Sequence, residues 1–348
     1  ALGRAGWENA TLVDTGSNKT VALLLADDST AGLLLWVGTK GGNGFLAQNG
    51  MAAESGSLYT WKPADGGIGS ALGTPGIPDS ADLAATTIGS SQAGSWVKVG
   101  SGTEVSTLTE DELKQRVIDA GGLQLSRIED IHVNPNNGQQ AVVATTGNSE
   151  FNSADLYGNL LTLDFSSAFD RKGLLAAGNG TALRVIYDGD RLTGVDPQAG
   201  VRTPDNLVWS ADGFAYVQED RAIGGGTAEG KFGSVEASIW KLNPLASIDP
   251  ITNPAGVAAE RWAVIDPSTA PAAYGQTNLS PSTISTNVGN WESSGIIDVS
   301  GLYGAAAGSF FLADVQAHSL RDGNLGGFNY LTEGGQLTLI GTPDLAFG

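Results

Sequence analysis

Acidic residues stand just ahead of several short apolar runs in this chain, where a lone carboxylate usually belongs to a solvated turn. Each run reaches a turn rich in Gly, Asn or Asp and returns as a second apolar run with a polar end. Four segments follow this order, and their first acids are Glu8, Glu129, Asp205 and Glu292. Weak self-similarity at wide spacing is the sequence signature of a repeat architecture.

These four carboxylates could do chemistry if the repeats brought them together. If each acid opens the innermost strand of its repeat, residues far apart in sequence converge at one place. Ionised carboxylates in a partly buried site raise one another's pKa values, and a multivalent cation removes that conflict. Oxygen ligands favour Ca²⁺, Mg²⁺ or a ferric ion over zinc, and the chain has no cysteine and only two histidines. The pattern therefore predicts a cation site.

Short strands are the elements that must position these acids. Most apolar runs are rich in β-branched and aromatic residues and are bounded by Gly, Asn, Asp or Pro, which is typical of strands. Recurring two-strand units predict an all-β fold, a β-propeller of antiparallel blades with about four strands each, rather than a sandwich or jelly roll. One short helical insertion is predicted near residues 109–120, because Thr109 and Glu112 have capping-box spacing.

The chain reads as one unit without a membrane anchor. No linker divides it, so we predict a single propeller domain over residues 1–348. It begins without Met or a signal-peptide pattern, and we expect a processed or truncated start that lacks some N-terminal sequence. No stretch of the sequence approaches the roughly 20 apolar residues of a membrane span, so no transmembrane segment is predicted.

Charge and composition exclude several function classes. The net charge of −19 argues against a nucleic-acid partner and against an anionic membrane surface. The absence of cysteine excludes a thiolate nucleophile and a thiolate metal site. Two histidines cannot form a zinc triad, and they argue against a Ser-His-Asp site.

Several segments resemble, in the same order, segments of the PhoX-type alkaline phosphatase family. The members of this family are exported bacterial propeller phosphatases. The resemblance reaches from residue 2 to about residue 320. Its segments are "GWENATLVDTG" continuing to "ALLLADDSTAGLLLWVG", then "SRIEDIHVNPNNGQQAVVATTG", "DLYGNLLTLDF", "TPDNLVWSADGFAYVQED", and "NWESSGIIDVS" with the later "FFLADVQAHS".

The resemblance implies a metal-dependent phosphoesterase acting on small phosphate esters, with Ca²⁺ and also Fe³⁺ as cofactors. It implies an exported protein, periplasmic or extracellular. Arg127 would be the catalytic residue, because a guanidinium two residues before Glu129 suits a phosphate oxygen. The implied metal ligands are Glu8, Asp28, Glu129, Asp205, Asp220 and Glu292.

Two departures from the family pattern keep other functions open. The family's cysteine ligand has no counterpart in this sequence, and Trp7 precedes Glu8 where a histidine is usual. One alternative is a non-catalytic calcium-binding propeller, an envelope or extracellular interaction module with a protein partner. Another is a calcium-dependent lactonase or esterase, since "DNLVWSADG" also resembles a central strand of that group.

Overall fold

The computed structural model describes residues 2–28, 30–64, 88–147, 155–192, 199–220, 235–248, 259–266, 291–318 and 333–342. Strands make up 54% and helices 13% of these described residues, so the predicted all-β, propeller-like fold of antiparallel sheets is confirmed. The chain forms two compact units, Ala1–Asp190 with Pro244–Ser247 and Arg191–Asn243 with Ile248–Gly348. The single domain over residues 1–348 stays a prediction.

The first unit contains eleven strands and three short helices in its described part. The strands are β1 (Trp7–Val13), β2 (Thr20–Asp27), β3 (Thr30–Gly32), β4 (Leu34–Thr39), β5 (Gly56–Pro63), β6 (Ser91–Ser101), β7 (Gln124–Ser126), β8 (Ile128–Val133), β9 (Gln140–Thr145), β10 (Asn159–Phe169) and β11 (Leu175–Asp188). The helices are α1 (Phe45–Gln48), α2 (Gly102–Val105) and α3 (Glu110–Asp119), with a 3-10 turn at Ala53–Ser55. A second 3-10 turn, Gly189–Leu192, contains the point at which the chain passes from the first unit to the second.

Nine of these strands form one sheet in the order β1-β2-β4-β5-β6-β11-β10-β9-β8. The sheet contains two antiparallel meanders, β1-β2-β4-β5 and β8-β9-β10-β11, which β6 joins by pairing with both β5 and β11. The two end strands, β1 and β8, also lie beside each other. The sheet therefore nearly closes on itself and places the two end strands next to one another.

Aromatic side chains hold the junction around β6. The indole of Trp61 donates to the Thr181 carbonyl oxygen at 3.1 Å, and that of Trp96 donates to Thr181 Oγ1 at 2.8 Å. Trp96 also stacks on Phe165 with ring centroids 5.8 Å apart. Both indoles are buried, so the N–H groups that burial would otherwise leave unsatisfied have partners.

Helix α3 lies where the sequence predicts a helix. Thr109 is its N-cap: its Oγ1 accepts from the Glu112 backbone N–H at 3.3 Å, and Glu112 Oε2 accepts from the Thr109 N–H at 2.8 Å. This reciprocal capping box satisfies two donors that a helix start leaves free. Leu113 and Val117 point into the apolar core of the unit. The predicted helical insertion is confirmed.

The second unit contains seven described strands in two smaller sheets. They are β12 (Pro204–Trp209), β13 (Ala215–Glu219), β14 (Ser238–Leu242), β15 (Ala259–Val264), β16 (Trp291–Asp298), β17 (Phe310–His318) and β18 (Glu333–Gly341). One sheet is the four-stranded meander β12-β13-β14-β15 and the other is β16-β17-β18. Strand β12 lies beside β16, and Tyr216, Trp262 and Phe311 pack together in the core between these sheets.

The four repeat-opening acids occupy one position in this architecture. Each is the second residue of the first strand of a meander, β1, β8, β12 or β16. The strands that carry them lie side by side within each unit, β1 beside β8 and β12 beside β16. The repeated sequence pattern therefore corresponds to carboxylates at the same position in four first strands. Among the described residues, none belongs to a helix with the length and apolar character that crossing a bilayer requires.

Candidate metal centres

The six carboxylates predicted as metal ligands gather into two clusters of three. The first cluster, in the first unit, consists of Glu8, Asp28 and Glu129, and the second cluster, in the second unit, consists of Asp205, Asp220 and Glu292. Within each cluster, carboxylate oxygens of the three residues lie within 4.8 Å of one another. A single site shared by all four repeat-opening acids stays a prediction, as does metal binding itself.

Both clusters are built in the same way. The first carboxylate is the second residue of a meander's first strand, and the second carboxylate directly follows the strand paired with it. The third carboxylate is the second residue of the strand that opens the neighbouring meander. In that order the members are Glu8, Asp28 and Glu129 in the first cluster and Asp205, Asp220 and Glu292 in the second.

Backbone hydrogen bonds fix the strand ends that carry these side chains. The N–H of Asp28 donates to the Gly6 carbonyl, and the N–H of Asp220 donates to the Thr203 carbonyl, both at 3.0 Å. Each acceptor lies two residues before the first carboxylate of its cluster. These matched bonds hold the end of one strand against the start of its partner, so the carboxylates of each pair stay close.

Two residues beside the clusters have strained backbones. Arg127 has a φ of 54° and Thr203 a φ of 46°, and among described residues other than glycine only these two have positive φ. A left-handed conformation is unusual for a β-branched residue such as threonine and costs about 1–3 kcal/mol. Both lie two residues before a cluster carboxylate, Glu129 or Asp205. Such strain is concentrated at functional sites in proteins.

Arg127 joins two carboxylates of the first cluster. Its Nε lies 2.9 Å from Asp28 Oδ1 and its Nη2 lies 2.6 Å from Glu129 Oε1. The Arg127 side chain retains 25% of its exposure, whereas that of Glu129 retains 7%. The guanidinium therefore lies between two anions, with a hydrogen bond to Asp28, while part of it remains open to solvent.

Glu8 is the most exposed member of the first cluster. Partial burial raises the pKa of its carboxyl group above the ordinary value, and the charge of Asp28 raises it further, whereas Arg127 lowers it. The first cluster therefore disfavours a third negative charge even with the guanidinium in contact. A bound cation would relieve this repulsion.

A buried ion pair supports the second cluster. Arg202 Nε and Nη2 donate to the two carboxylate oxygens of Glu219 at 3.0 and 2.7 Å, and both side chains are completely buried. Glu219 also accepts from the backbone N–H of Arg202, the backbone N–H of Ser238 and the indole of Trp240. Arg202 precedes Thr203 and Glu219 precedes Asp220, so this network fixes the backbone on which the cluster depends.

Sequence reasoning missed Arg202 and Glu219. The sequence marks these two residues only by where they stand. Each is next to a residue at a strand end that the repeat pattern singled out. By contrast, Arg127 and all six predicted ligands lie in or against the clusters. Their functional roles remain proposals.

The chain thus combines an all-β, propeller-like fold with two clusters of three carboxylates. The sequence matches the family described as Alkaline phosphatase PhoX over residues 1–252, and the chain belongs to this family. The predicted resemblance is confirmed. Glu292 of the second cluster lies beyond the matched residues. A search of curated proteins finds no match to this chain.

Proposed function

We propose that this chain is a cation-dependent phosphoesterase that hydrolyses small phosphate esters. The observation that carries the proposal is Arg127, fixed by Asp28 and Glu129 inside a cluster of three carboxylates. Membership of the PhoX alkaline phosphatase family supports phosphoesterase chemistry, and with it we propose an exported protein, periplasmic or extracellular.

The donor set fits hard cations. Each cluster offers three carboxylates whose oxygens lie within 4.8 Å of one another. Ca²⁺ binds about six to eight oxygens in flexible geometry, so three carboxylates with backbone oxygens and water can complete its shell. Fe³⁺ is a second hard ion that the same donors suit. We therefore assign Glu8, Asp28 and Glu129 to one cation site and Asp205, Asp220 and Glu292 to another.

Bound cations would neutralise phosphoryl oxygens and so favour attack on phosphorus. The chain itself contributes Arg127, whose planar guanidinium matches the geometry of phosphate oxygens. Because Asp28 and Glu129 hold the guanidinium between them, the arginine needs little reorganisation to bind the substrate. This preorganisation is what makes electrostatic stabilisation effective in an enzyme site.

The overall charge of −19 disfavours binding of an anionic substrate in the absence of cations. An anionic phosphate ester is repelled by such a protein unless the field is reversed locally at the site. We therefore expect activity that is lost completely with a chelator and restored by Ca²⁺ with Fe³⁺. Hydrolysis that persists with excess chelator would contradict the proposal.

The decisive assay is hydrolysis of p-nitrophenyl phosphate by the full-length protein with Ca²⁺ and Fe³⁺. Arg127→Gln should lower kcat/KM by about 10- to 150-fold, because it removes a charge-assisted contact of roughly 1.5–3 kcal/mol. The matched control is Arg171→Gln, which alters an exposed arginine in a turn and should leave activity unchanged.

Two other outcomes of this hydrolysis assay would each favour one of the alternative functions. No turnover above a blank that contains only the metals would favour a non-catalytic calcium-binding propeller with a protein partner. Turnover of a lactone or carboxylic ester without turnover of the phosphate would favour the lactonase or esterase alternative.

A further inference from the structure

The last of the four meanders has one strand fewer than the others. The meanders that begin with β1, β8 and β12 contain four strands each, whereas the one that begins with β16 ends at β18 among the described residues. Strand β18 is therefore the edge of its sheet, with β17 paired along one side. This edge lies in the second unit and shares no residue with the second cluster.

Half of the backbone groups of β18 point away from β17. The N–H of Thr342 donates to the Ser309 carbonyl at 3.1 Å, in the register that β17 and β18 share. Hydrogen-bonded pairs alternate along an antiparallel ladder, so even-numbered residues of β18 bond to β17 and odd-numbered ones point outward. The outward residues are Gly335, Leu337, Leu339 and Gly341. In the part of the chain that the structure describes, no backbone partner meets their outward groups.

Strand β18 lacks the features that usually protect a sheet edge, namely charged side chains, proline and bulges. Residues 334–341 include no charged residue and no proline. The register between β17 and β18 runs without a shift, whereas the register between β16 and β17 shifts between Ser294 and Ile296. Leu337 and Leu339 are 66% and 38% exposed. An edge of this kind readily accepts a further strand.

We propose that β18 pairs with β18 of a second copy of this chain, antiparallel and around a two-fold axis at Thr338. The two three-stranded sheets then form one continuous sheet. In this register Leu337 lies opposite Leu339 of the other copy, and Gly335 lies opposite Gly341. The outward backbone groups of both copies therefore meet, and each pair of exposed leucines forms an apolar cross-strand contact.

An apolar row across the sheet leads to this edge. Ile297, Leu312 and Leu339 lie side by side on β16, β17 and β18. Ile297 is 62% exposed, so the row faces solvent in the single chain. Leu337 of the second copy adds a fourth apolar side chain to the row, and the contact buries surface at the edge.

The uncharged edge is where two acidic chains can meet. The net charge of −19 makes two copies repel each other at long range. Residues 334–341 bring no carboxylate to the pairing, so no like charges lie opposite each other there. Salt screens the long-range repulsion but leaves the backbone bonds and leucine contacts in place. The dimer should therefore become tighter as the salt concentration rises.

Sedimentation velocity of the chain over a range of concentrations tests the dimer. The wild type should change from monomer to dimer as its concentration rises. Leu337→Lys with Leu339→Lys puts lysines directly opposite each other and should stay monomeric. The matched control is Leu12→Lys with Leu174→Lys, which makes the same charge change at leucines of the first unit that are 63% and 40% exposed. It should dimerise as the wild type does.

Disulfide cross-linking tests the register, because the chain contains no cysteine of its own. Thr338→Cys places two thiols at the axis, where the Cα atoms of a non-hydrogen-bonded pair lie about 4.5 Å apart, within reach of a disulfide. Oxidation with diamide should therefore link the two chains. In Leu337→Cys the two thiols lie diagonally, at about 7–8 Å, so this variant should cross-link much more slowly.

Three results would overturn the proposal. One is a wild type that stays monomeric at every concentration, and another is a double lysine variant that dimerises as well as the wild type. The third is equal cross-linking of Thr338→Cys and Leu337→Cys, which would indicate a different register or random collision. All of these measurements report mass, so their outcome is independent of the proposed phosphoesterase activity.

Discussion

The two carboxylate clusters use the same three positions of the β-meander, yet their nearest arginines have different environments. Arg127 contacts two carboxylates of the first cluster and is partly exposed. Arg202 lies beside the second cluster, is completely buried, and forms its ion pair with Glu219. The difference shows how one repeat can hold arginines in two environments: a partly exposed arginine contacts the cluster carboxylates, and a buried one fixes the backbone.

The largest expected effect concerns the buried arginine. Arg202→Met leaves Glu219 as an uncompensated buried charge and should lower the free energy of unfolding by about 3–5 kcal/mol. Arg127→Met breaks partly exposed pairs and should cost about 1 kcal/mol or less. Denaturant unfolding followed by tryptophan fluorescence measures both.

A double variant separates charge from packing at this pair. Arg202→Met with Glu219→Gln removes both charges but keeps an acceptor for the Trp240 indole, so it should recover part of the lost stability. Equal costs for Arg202→Met and Arg127→Met would show that the two arginines do not differ as their burial implies.

An intermediate effect tests whether the clusters are equivalent. Glu129→Gln and Glu292→Gln remove the same structural member from the first and second cluster. Each should lose most of the calcium-induced stabilisation of its cluster, which is about 2.7 kcal/mol at a calcium concentration of 100 times Kd. Thermal unfolding of each variant with calcium and with chelator measures this loss.

Glu54→Gln provides the control for that experiment, because Glu54 is exposed and lies outside both clusters. It should keep the full calcium-dependent rise in Tm. If only one of Glu129→Gln and Glu292→Gln loses the calcium-dependent rise in Tm, the two clusters bind calcium unequally although they are built in the same way.

The smallest expected effect is a pH dependence in the first unit. Burial lowers the pKa of His132 on β8, although its bond to the Val133 carbonyl opposes this. The unfolded chain then binds a proton more readily than the folded one. Stability is therefore fully present above a pH of about 6.5 and falls as the pH decreases below it.

His132→Gln should flatten that part of the stability curve. The measurement is the difference in free energy of unfolding between wild type and variant at pH 5.5 and at pH 7.5, which cancels contributions from other groups. A difference that is the same at both pH values would contradict the lowered pKa.

Local signals made much of this fold predictable. The capping box at Thr109 and Glu112 identified α3, and the position of the repeat-opening acids identified the strands that begin each meander. These features depend on neighbours in sequence. The six candidate ligands could be named because the repeat and the family resemblance both marked the strand ends.

The remaining features depend on contacts between distant segments. Arg202 and Glu219 look like ordinary surface charges in sequence, because only the folded strands show that they pair out of contact with water. The grouping of the six candidate ligands into two clusters of three was likewise not evident, since the sequence does not show which strands lie side by side.

The near closure of the nine-stranded sheet has a consequence for biogenesis. Trp96 on β6 bonds to Thr181 on β11, a partner 85 residues away in sequence, and such long-range pairings form slowly because a large loop must close first. Glu8 and Glu129 lie on the two strands that meet when the sheet closes. During synthesis, therefore, the first cluster should be assembled only after β11 has emerged, and ion capture there would act as a late step that locks the completed sheet.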